Sequence, residues 1–168
     1  MALSMFDASV PSMLRQLAAL DAILDKAAAH AAARKIDPAV LLATRLFPDM
    51  FALTRQVQLT CDFAKNTVAR LAGQEPPKWP DEETSFEQLR ARIAKTADFV
   101  RGFSAVQLEG AESRDVTLPM GGKPTTFKGG QFLFNFALPN FYFHATTAYA
   151  ILRHCGVEVG KRDFVGQI

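Results

Sequence analysis

The sequence predicts an all-α protein, a four-helix bundle with a small two-stranded β-ribbon before the last helix. Apolar residues recur at steps of three and four along four long stretches, which is the spacing of one helix face. The links between these stretches are short except for one long crossover, and one segment between glycines changes to an extended pattern. A length of 168 residues with 49% hydrophobic content fits one domain spanning residues 1–168.

The first helix is expected near residues 8–34. Pro11 suits the first turn of a helix capped by Ser9, because the missing amide hydrogen of proline has no partner there. A helix running through from Met5 would have to kink at Pro11. Asp37 followed by Pro38 then predicts a short turn of helix. The core stripe of the first helix is Val10, Leu14, Leu17, Leu20, Leu24 and Ala28.

The second helix is expected near residues 48–72, starting at about Asp49 and stopping at Gly73. Its core stripe includes Cys61. Gln56 lies on or beside this apolar face, and a buried amide needs hydrogen-bond partners. The opposite face is expected to be solvated, and it carries Arg55, Gln58, Asp62, Lys65 and Asn66.

The segment 74–83 contains three prolines and predicts a crossover loop. Thr84 and Glu87 have the spacing of a capping box, which opens a third helix near residues 85–103. Two strands near 114–118 and 124–128 are expected to pair in a ribbon before the fourth helix at 131–155.

The fourth helix is expected to be the central one, because it is hydrophobic on nearly all its faces. An apolar stripe on this helix contains two polar residues four positions apart, Asn140 and His144. A helix with more apolar faces than one bundle core can cover predicts a homodimer packed on aromatic and aliphatic side chains.

Composition excludes some partners. The formal net charge is +2, from 19 basic and 17 acidic residues spread along the chain. Such a distribution does not indicate the basic patch that binds nucleic acid or an anionic membrane. No window approaches the about 20 apolar residues of a membrane span. Cys61 and Cys155 lie far apart without a paired motif, which suits a reducing compartment. A cytoplasmic protein is therefore expected.

The chain contains the runs Asp49-Met50, Gln56-Val57, Cys61 to Ala64, Leu71 to Gly73, Leu138 to His144, Ala148 to Arg153 and Lys161 to Phe164. Together with the order of the helices, these runs resemble an uncharacterised bacterial family within the DinB/YfiT-like superfamily of metalloenzymes. The resemblance covers nearly the whole chain. It implies a four-helix bundle in which many relatives bind a divalent metal through one histidine of the second helix and two histidines, four residues apart, of the fourth.

This sequence departs from the metal-binding pattern of the family. The four-residue pair is Asn140 and His144, and the position on the second helix is best matched by Gln56. One imidazole with two amides is a poor ligand set for zinc or nickel. Gln56, Asn140 and His144 are therefore interpreted as degenerate metal-ligand positions, with either no cofactor or a weakly bound divalent metal.

Other candidate residues have simpler explanations. His144 is either a neutral buried histidine satisfied by Gln56 or Asn140, or a ligand or acid/base group. Asp49 at a helix start is stabilised without any function, Cys61 is more readily a packing residue than a nucleophile, and His154 suits a helix C-terminus. Asp62 lies among charged neighbours.

Two functions follow from these observations. The first is a non-catalytic or small-ligand-binding protein, in which the polar residues of the degenerate site only satisfy one another. The alternative is a divalent-metal-dependent small-molecule transferase or hydrolase of the DinB/YfiT type. We favour the first, and the sequence leaves open whether the protein is an enzyme.

Overall fold

A computed structural model describes residues 4–166. It confirms a mostly helical bundle with one two-stranded antiparallel sheet before the last long helix, and the described residues form no other sheet. No helix within residues 4–166 combines the length and the apolar character needed to cross a membrane. The helices are α1 (Met5–Arg34), α2 (Pro38–Ala43), α3 (Leu53–Leu71), α4 (Phe86–Arg101), α5 (Gly129–Phe132), α6 (Leu138–His154) and α7 (Lys161–Val165).

Helix α1 begins earlier than the sequence predicts. Ser4, not Ser9, is the N-cap, and its side chain accepts a hydrogen bond from the amide of Asp7. Pro11 therefore lies inside the helix. The additional turn is favourable because it buries Met5, which is only 8% exposed.

Helix α3 begins at Leu53, later than predicted, and residues 44–52 form a loop before it. The loop is closed by a hydrogen bond from the amide of Leu53 to the carbonyl of Thr44, at 2.9 Å. Asp49 is exposed in this loop, so its expected position at a helix start was wrong. Helix α2 confirms the expected cap, since the Asp37 side chain accepts from the amide of Ala39.

The crossover between α3 and α4 contains no helix or strand from residue 74 to residue 84, as predicted. The cap of α4 is one residue later than expected: Ser85 accepts from the amide of Gln88, at 3.2 Å. Thr84 instead donates its amide to the Gln88 side chain. The capping interaction is thus present with Ser85 and Gln88 in place of Thr84 and Glu87.

Strands β1 (Asp115–Met120) and β2 (Lys123–Lys128) confirm the predicted ribbon. Gly129 follows β2 directly and passes very close to another part of the backbone. A Cβ atom at this position would lie 1.9 Å from the carbonyl oxygen of Ala111, so any other residue would force the two segments apart.

The last long helical segment runs from Gly129 to His154 and is not α-helical throughout. Residues Leu133–Ala137 form a π-helical turn between α5 and α6. Pro139 lies two residues beyond this turn, and proline cannot donate the hydrogen bond that a regular helix requires there. The wider turn accommodates this break without ending the helix.

Helix α3 packs between α4 and α6, while α1 packs mainly on α4 and also contacts α6. The core is formed by aliphatic and aromatic side chains of all the long helices, among them Leu17, Leu24, Val57, Leu89, Phe141 and Ile151. The C-terminal tail folds back on the bundle as expected, because Phe164 packs against Tyr149 and its carbonyl accepts from Gln16. The contact between α3 and α6 positions the candidate site.

Candidate functional site

Helices α3 and α6 bring Gln56 and His144 into direct contact. These residues are 88 positions apart in sequence, and the Nδ1 atom of His144 lies 2.8 Å from the Oε1 atom of Gln56. Gln56 is 1% exposed and His144 is 8% exposed, so the hydrogen bond lies inside the bundle. The expectation that His144 is satisfied by Gln56 is confirmed.

The amide of Gln56 determines where His144 carries its proton. Its Nε2 atom donates to the carbonyl oxygen of Phe51 at 3.2 Å, so its Oε1 atom is the one that faces the imidazole. An amide oxygen can only accept, and the Nδ1 atom of His144 must therefore be the donor. In the neutral ring this leaves Nε2 unprotonated, and no residue between 4 and 166 donates a hydrogen bond to it.

Aromatic rings surround the imidazole on two sides. Phe63 stacks on it with ring centroids 5.6 Å apart, and Phe143 meets it edge-on at 5.2 Å. Burial lowers the pKa of His144, and the positive charge of Arg55 lowers it further. The imidazole is accordingly neutral at pH 7.

We expect this lowered pKa to appear in the pH dependence of stability. Above the unfolded-state pKa of about 6.5 the ring is neutral in both the folded and the unfolded protein. It then has no effect on how the free energy of unfolding changes with pH. Below that pKa the unfolded chain takes up the proton more readily than the folded one, so the free energy of unfolding falls as the pH drops through the folded pKa. Urea denaturation of the parent and of His144→Gln between pH 5 and 8 measures this effect.

The stability difference between the parent and His144→Gln should therefore shrink as the pH falls. His30 and His154 are common to both proteins and cancel in the comparison. A difference that stays constant or grows at acidic pH would contradict a neutral, buried His144.

Asn140 does not join this pair. Its side chain is half-buried, and its Nδ2 atom donates to the carbonyl oxygen of Phe136 at 2.7 Å. Phe136 lies in the π-helical turn, where the regular pattern of backbone hydrogen bonds is interrupted. The amide of Asn140 thus satisfies its own helix, which corrects the expectation that Asn140 could be the partner of His144.

A second polar cluster lies between α3, the crossover and α4, centred on Arg92. The side chain of Arg92 is 3% exposed. Its guanidinium lies 3.0 Å from Asp62, 2.9 Å from Asp81 and 2.9 Å from Glu83. It also donates to the carbonyl oxygen of Pro80 at 2.8 Å. One cation therefore holds three carboxylates and the crossover backbone together.

Electrostatics within this cluster favour the charged forms. Burial alone would lower the pKa of Arg92, but the hydrogen bond to Glu83 and the charges of Asp62 and Glu83 outweigh it and raise that pKa. Burial would likewise raise the pKa of Glu83, and hydrogen bonds from Arg92 and Gln58 reverse this and lower it. The ion pairs are thus mutually supporting.

The face of α3 that was expected to be solvated is largely covered by the crossover. Gln58 is 4% exposed and donates to Glu83 at 2.8 Å. Lys65 is 3% exposed and donates to the carbonyl oxygen of Pro77 at 2.7 Å. The spacing of apolar residues identifies only the face of α3 that packs against the other helices. Burial of the polar residues Gln58 and Lys65 under the crossover was therefore not predicted.

The remaining candidate residues have structural positions. Asp62 belongs to the Arg92 cluster. Cys61 is fully buried, and this burial raises the pKa of its thiol to about 12, so it is a packing residue and not a nucleophile at neutral pH. His154 is the last residue of α6 and is exposed, as expected for a helix C-terminus.

Gln56, Asn140 and His144 do not fit a zinc or nickel ion as they are arranged. His144 offers one free nitrogen, the oxygen of Gln56 already accepts from His144, and Asn140, whose Nδ2 atom donates within its own helix, could add only a neutral amide oxygen, which is a poor ligand for zinc or nickel. Within the described part of the chain, no three histidine, cysteine, aspartate or glutamate side chains converge in a metal-binding group.

Comparisons with known proteins show likenesses that extend over nearly the whole chain. The model of a family described as "Domain of unknown function (DUF1993)" matches residues 5–165. The crystal structure of a DinB family member protein from Shewanella denitrificans is 46% identical in sequence to this chain, with a TM-score of 0.91 over 97% of this chain and 92% of that chain. A comparison with curated proteins gives no significant match.

Proposed function

Since the chain belongs to the DUF1993 family of DinB-like proteins of unknown function, we propose that it is a non-catalytic binding protein with a degenerate metal site. Gln56, Asn140 and His144 mark this site, and their polar atoms hold the fold together. The observation that carries the proposal is the hydrogen bond between Gln56 and His144.

The wider hydrogen-bond chain supports the same conclusion. The carbonyl of Phe51, the amide of Gln56 and the imidazole of His144 form one series, which joins the 44–52 loop to the inside of α6. An ion bound through the oxygen of Gln56 would compete with the N–H of His144 for that oxygen, and an ion that took it over fully would displace His144. A buried donor would then lose its partner, which costs about 1–3 kcal/mol.

One observation favours the alternative, a divalent-metal-dependent small-molecule transferase or hydrolase of the DinB/YfiT type. The Nε2 atom of His144 has a free lone pair, and a neutral imidazole nitrogen is a good ligand for zinc or nickel. A single such ligand holds a metal only weakly. The same lone pair would also accept a hydrogen bond from a small ligand.

Metal-dependent thermal stability separates these proposals. For tag-free parent protein we expect no rise in melting temperature with about 10 μM zinc or nickel, because an ion must bind the native state to stabilise it. The double variant Gln56→His, Asn140→His restores three histidines at the degenerate positions. This variant should gain a metal-dependent rise of several degrees that a chelator reverses.

The parent protein decides the outcome, and His144→Gln is its control. A rise of several degrees in the parent that disappears in His144→Gln would contradict the non-catalytic proposal and favour the metalloenzyme. If metal raises the melting temperature of neither the parent nor His144→Gln, the result supports the non-catalytic proposal, in which Gln56 and His144 satisfy each other. This holds whatever the result for the double variant.

Further features of the proposal are a homodimer and a cytoplasmic location. The even balance of charge gives no reason to expect nucleic acid or a membrane as a partner. The exposed apolar side chains of the 44–52 loop and of Phe143 support self-association.

A further inference from the structure

A cleft of about 1050 Å³ lies between helices α1 and α7. Its volume is at the upper end of the range of small-molecule pockets, about 300–1,000 Å³. Neither Gln56 nor His144 lines this cleft, so it is separate from the degenerate metal site. The bundle therefore has a second place that could hold a ligand.

Two contacts hold α7 against α1 beside the cleft. Asp163 pairs with Lys26 at 2.7 Å, and the Nε2 atom of Gln16 donates to the carbonyl oxygen of Phe164 at 3.1 Å. Between Gln16 and Lys26, the residues of α1 that line the cleft are Ala18, Ala19 and Ala22. Because an alanine side chain ends at its Cβ atom, these positions leave room between the two helices.

Three basic side chains also line the cleft, Arg15 of α1 and Lys161 and Arg162 of α7. All three residues are exposed, and none of them forms an ion pair with another residue of the described range 4–166. The one acidic residue of the lining, Asp163, is already paired with Lys26. The cleft thus combines apolar surface with three positive charges that no carboxylate of the described chain neutralises.

We infer that this cleft binds a small organic carboxylate with an apolar body, such as a medium-chain fatty acid. The alanines of α1 and Val165 of α7 would contact the hydrocarbon body, and the burial of its apolar surface favours binding. Arg15 and Arg162 would pair with the carboxylate, since the planar guanidinium group matches its two oxygens. The inference does not depend on whether His144 binds a metal.

The lining favours this class of ligand over simpler ones. A free phosphate ion would contact apolar side chains that offer it no hydrogen bonds, and a neutral hydrocarbon would leave the three cations without a counter-charge. A cleft lined by one sign of charge also concentrates ligands of the opposite sign. A carboxylate with an apolar body is complementary to both parts of the lining.

Isothermal titration calorimetry of the full chain with sodium octanoate tests the inference. We expect one saturable site with a dissociation constant of about 1 mM, as is usual for a ligand of this size. Two control compounds separate the contributions: 1-octanol has the apolar body without the charge, and inorganic phosphate has the charge without the body. Neither should reach half-saturation at the concentration at which octanoate does.

Ala22→Glu should abolish octanoate binding. Ala22 is exposed, so the substitution leaves the core unchanged, and the new carboxylate would pair with the cations of the cleft and repel the ligand. Ala32→Glu is the matched control, because it places the same charge at an exposed position of α1 outside the cleft, about 15 Å along the helix. It should leave the affinity unchanged in about 0.1 M salt, which screens charges over about 10 Å.

The double variant Arg15→Gln, Arg162→Gln tests the cations directly. It should weaken octanoate binding at least about fivefold, the effect of losing an exposed ion pair. Arg34→Gln, Arg153→Gln removes the same charge at two exposed positions outside the cleft and should leave the affinity unchanged.

Circular dichroism verifies that each variant is folded, and the arginine variants decide if Ala22→Glu is not. The proposal is overturned if the full chain shows no saturable binding up to about 10 mM octanoate, or if 1-octanol binds equally well. It is also overturned if binding survives in the folded cleft variants, or if the control variants weaken it as much.

A chain ending at Gly166 is titrated in parallel, because residues 167 and 168 directly follow this residue of the cleft. Octanoate binding to the shorter chain alone would show that the cleft of the full chain does not take an external ligand, which overturns the proposal. Equal binding to both chains supports it.

Discussion

Replacing Arg92 with methionine should lower the free energy of unfolding by about 3–5 kcal/mol. Methionine retains much of the side-chain packing but removes the cation that holds Asp62, Asp81 and Glu83. The carboxylates of Asp62 on α3 and of Asp81 and Glu83 in the crossover would then lack their shared cation, and the carbonyl of Pro80 would lose its donor. Urea denaturation followed by circular dichroism measures the loss.

Arg90 provides the control on the same helix. It forms ion pairs with Asp21 and Asp25, but its side chain is 37% exposed, so solvent screens these pairs. Arg90→Met should cost no more than about 1 kcal/mol. Equal losses for Arg90→Met and Arg92→Met would show that burial of the Arg92 cluster is not what makes it important.

His144→Ala should lower the free energy of unfolding by roughly 2–4 kcal/mol. The substitution opens a cavity against Phe63 and leaves the oxygen of Gln56 without its donor. His144→Gln keeps an amide N–H that can donate to the same oxygen and should cost about 1 kcal/mol, mainly for the lost ring stacking. Urea denaturation in the presence of a chelator excludes any contribution from metal.

The comparison of the two His144 substitutions is the informative result. His154→Ala, at the exposed end of the same helix, should change stability by no more than about 0.5 kcal/mol. If His144→Gln destabilises as much as His144→Ala, the imidazole is required for something that a second amide cannot supply, and the hydrogen bond to Gln56 is not its main role.

The helices were predictable because each buries a stripe that repeats for several turns, as in α3 and α4. Their ends were less predictable, because several side chains compete to satisfy the same terminal amides. Ser4 and Ser9 both suit the start of α1, and Thr84 and Ser85 both suit the start of α4. The choice depends on tertiary burial, as at Met5, which no local pattern contains.

The polar pair was partly predictable. An amide on an apolar face, as at Gln56, must find a partner, and His144 was the obvious one on the central helix. The role of Asn140 was not predictable, because it depends on the π-helical turn beside it. The Arg92 cluster depends on how the crossover lies across α3, although the acidic residues of the crossover were a signal that a basic partner existed.

The π-helical turn at Leu133–Ala137 has a consequence for tracing ancestry through this helix. Such a turn holds about one residue more than an α-helix with the same path. Losing that residue would rotate the preceding α5 segment by about 100° relative to α6. An ancestor with a regular helix is thus separated from this chain by a single-residue insertion, and an alignment without a gap there would pair the wrong phenylalanines before Leu138.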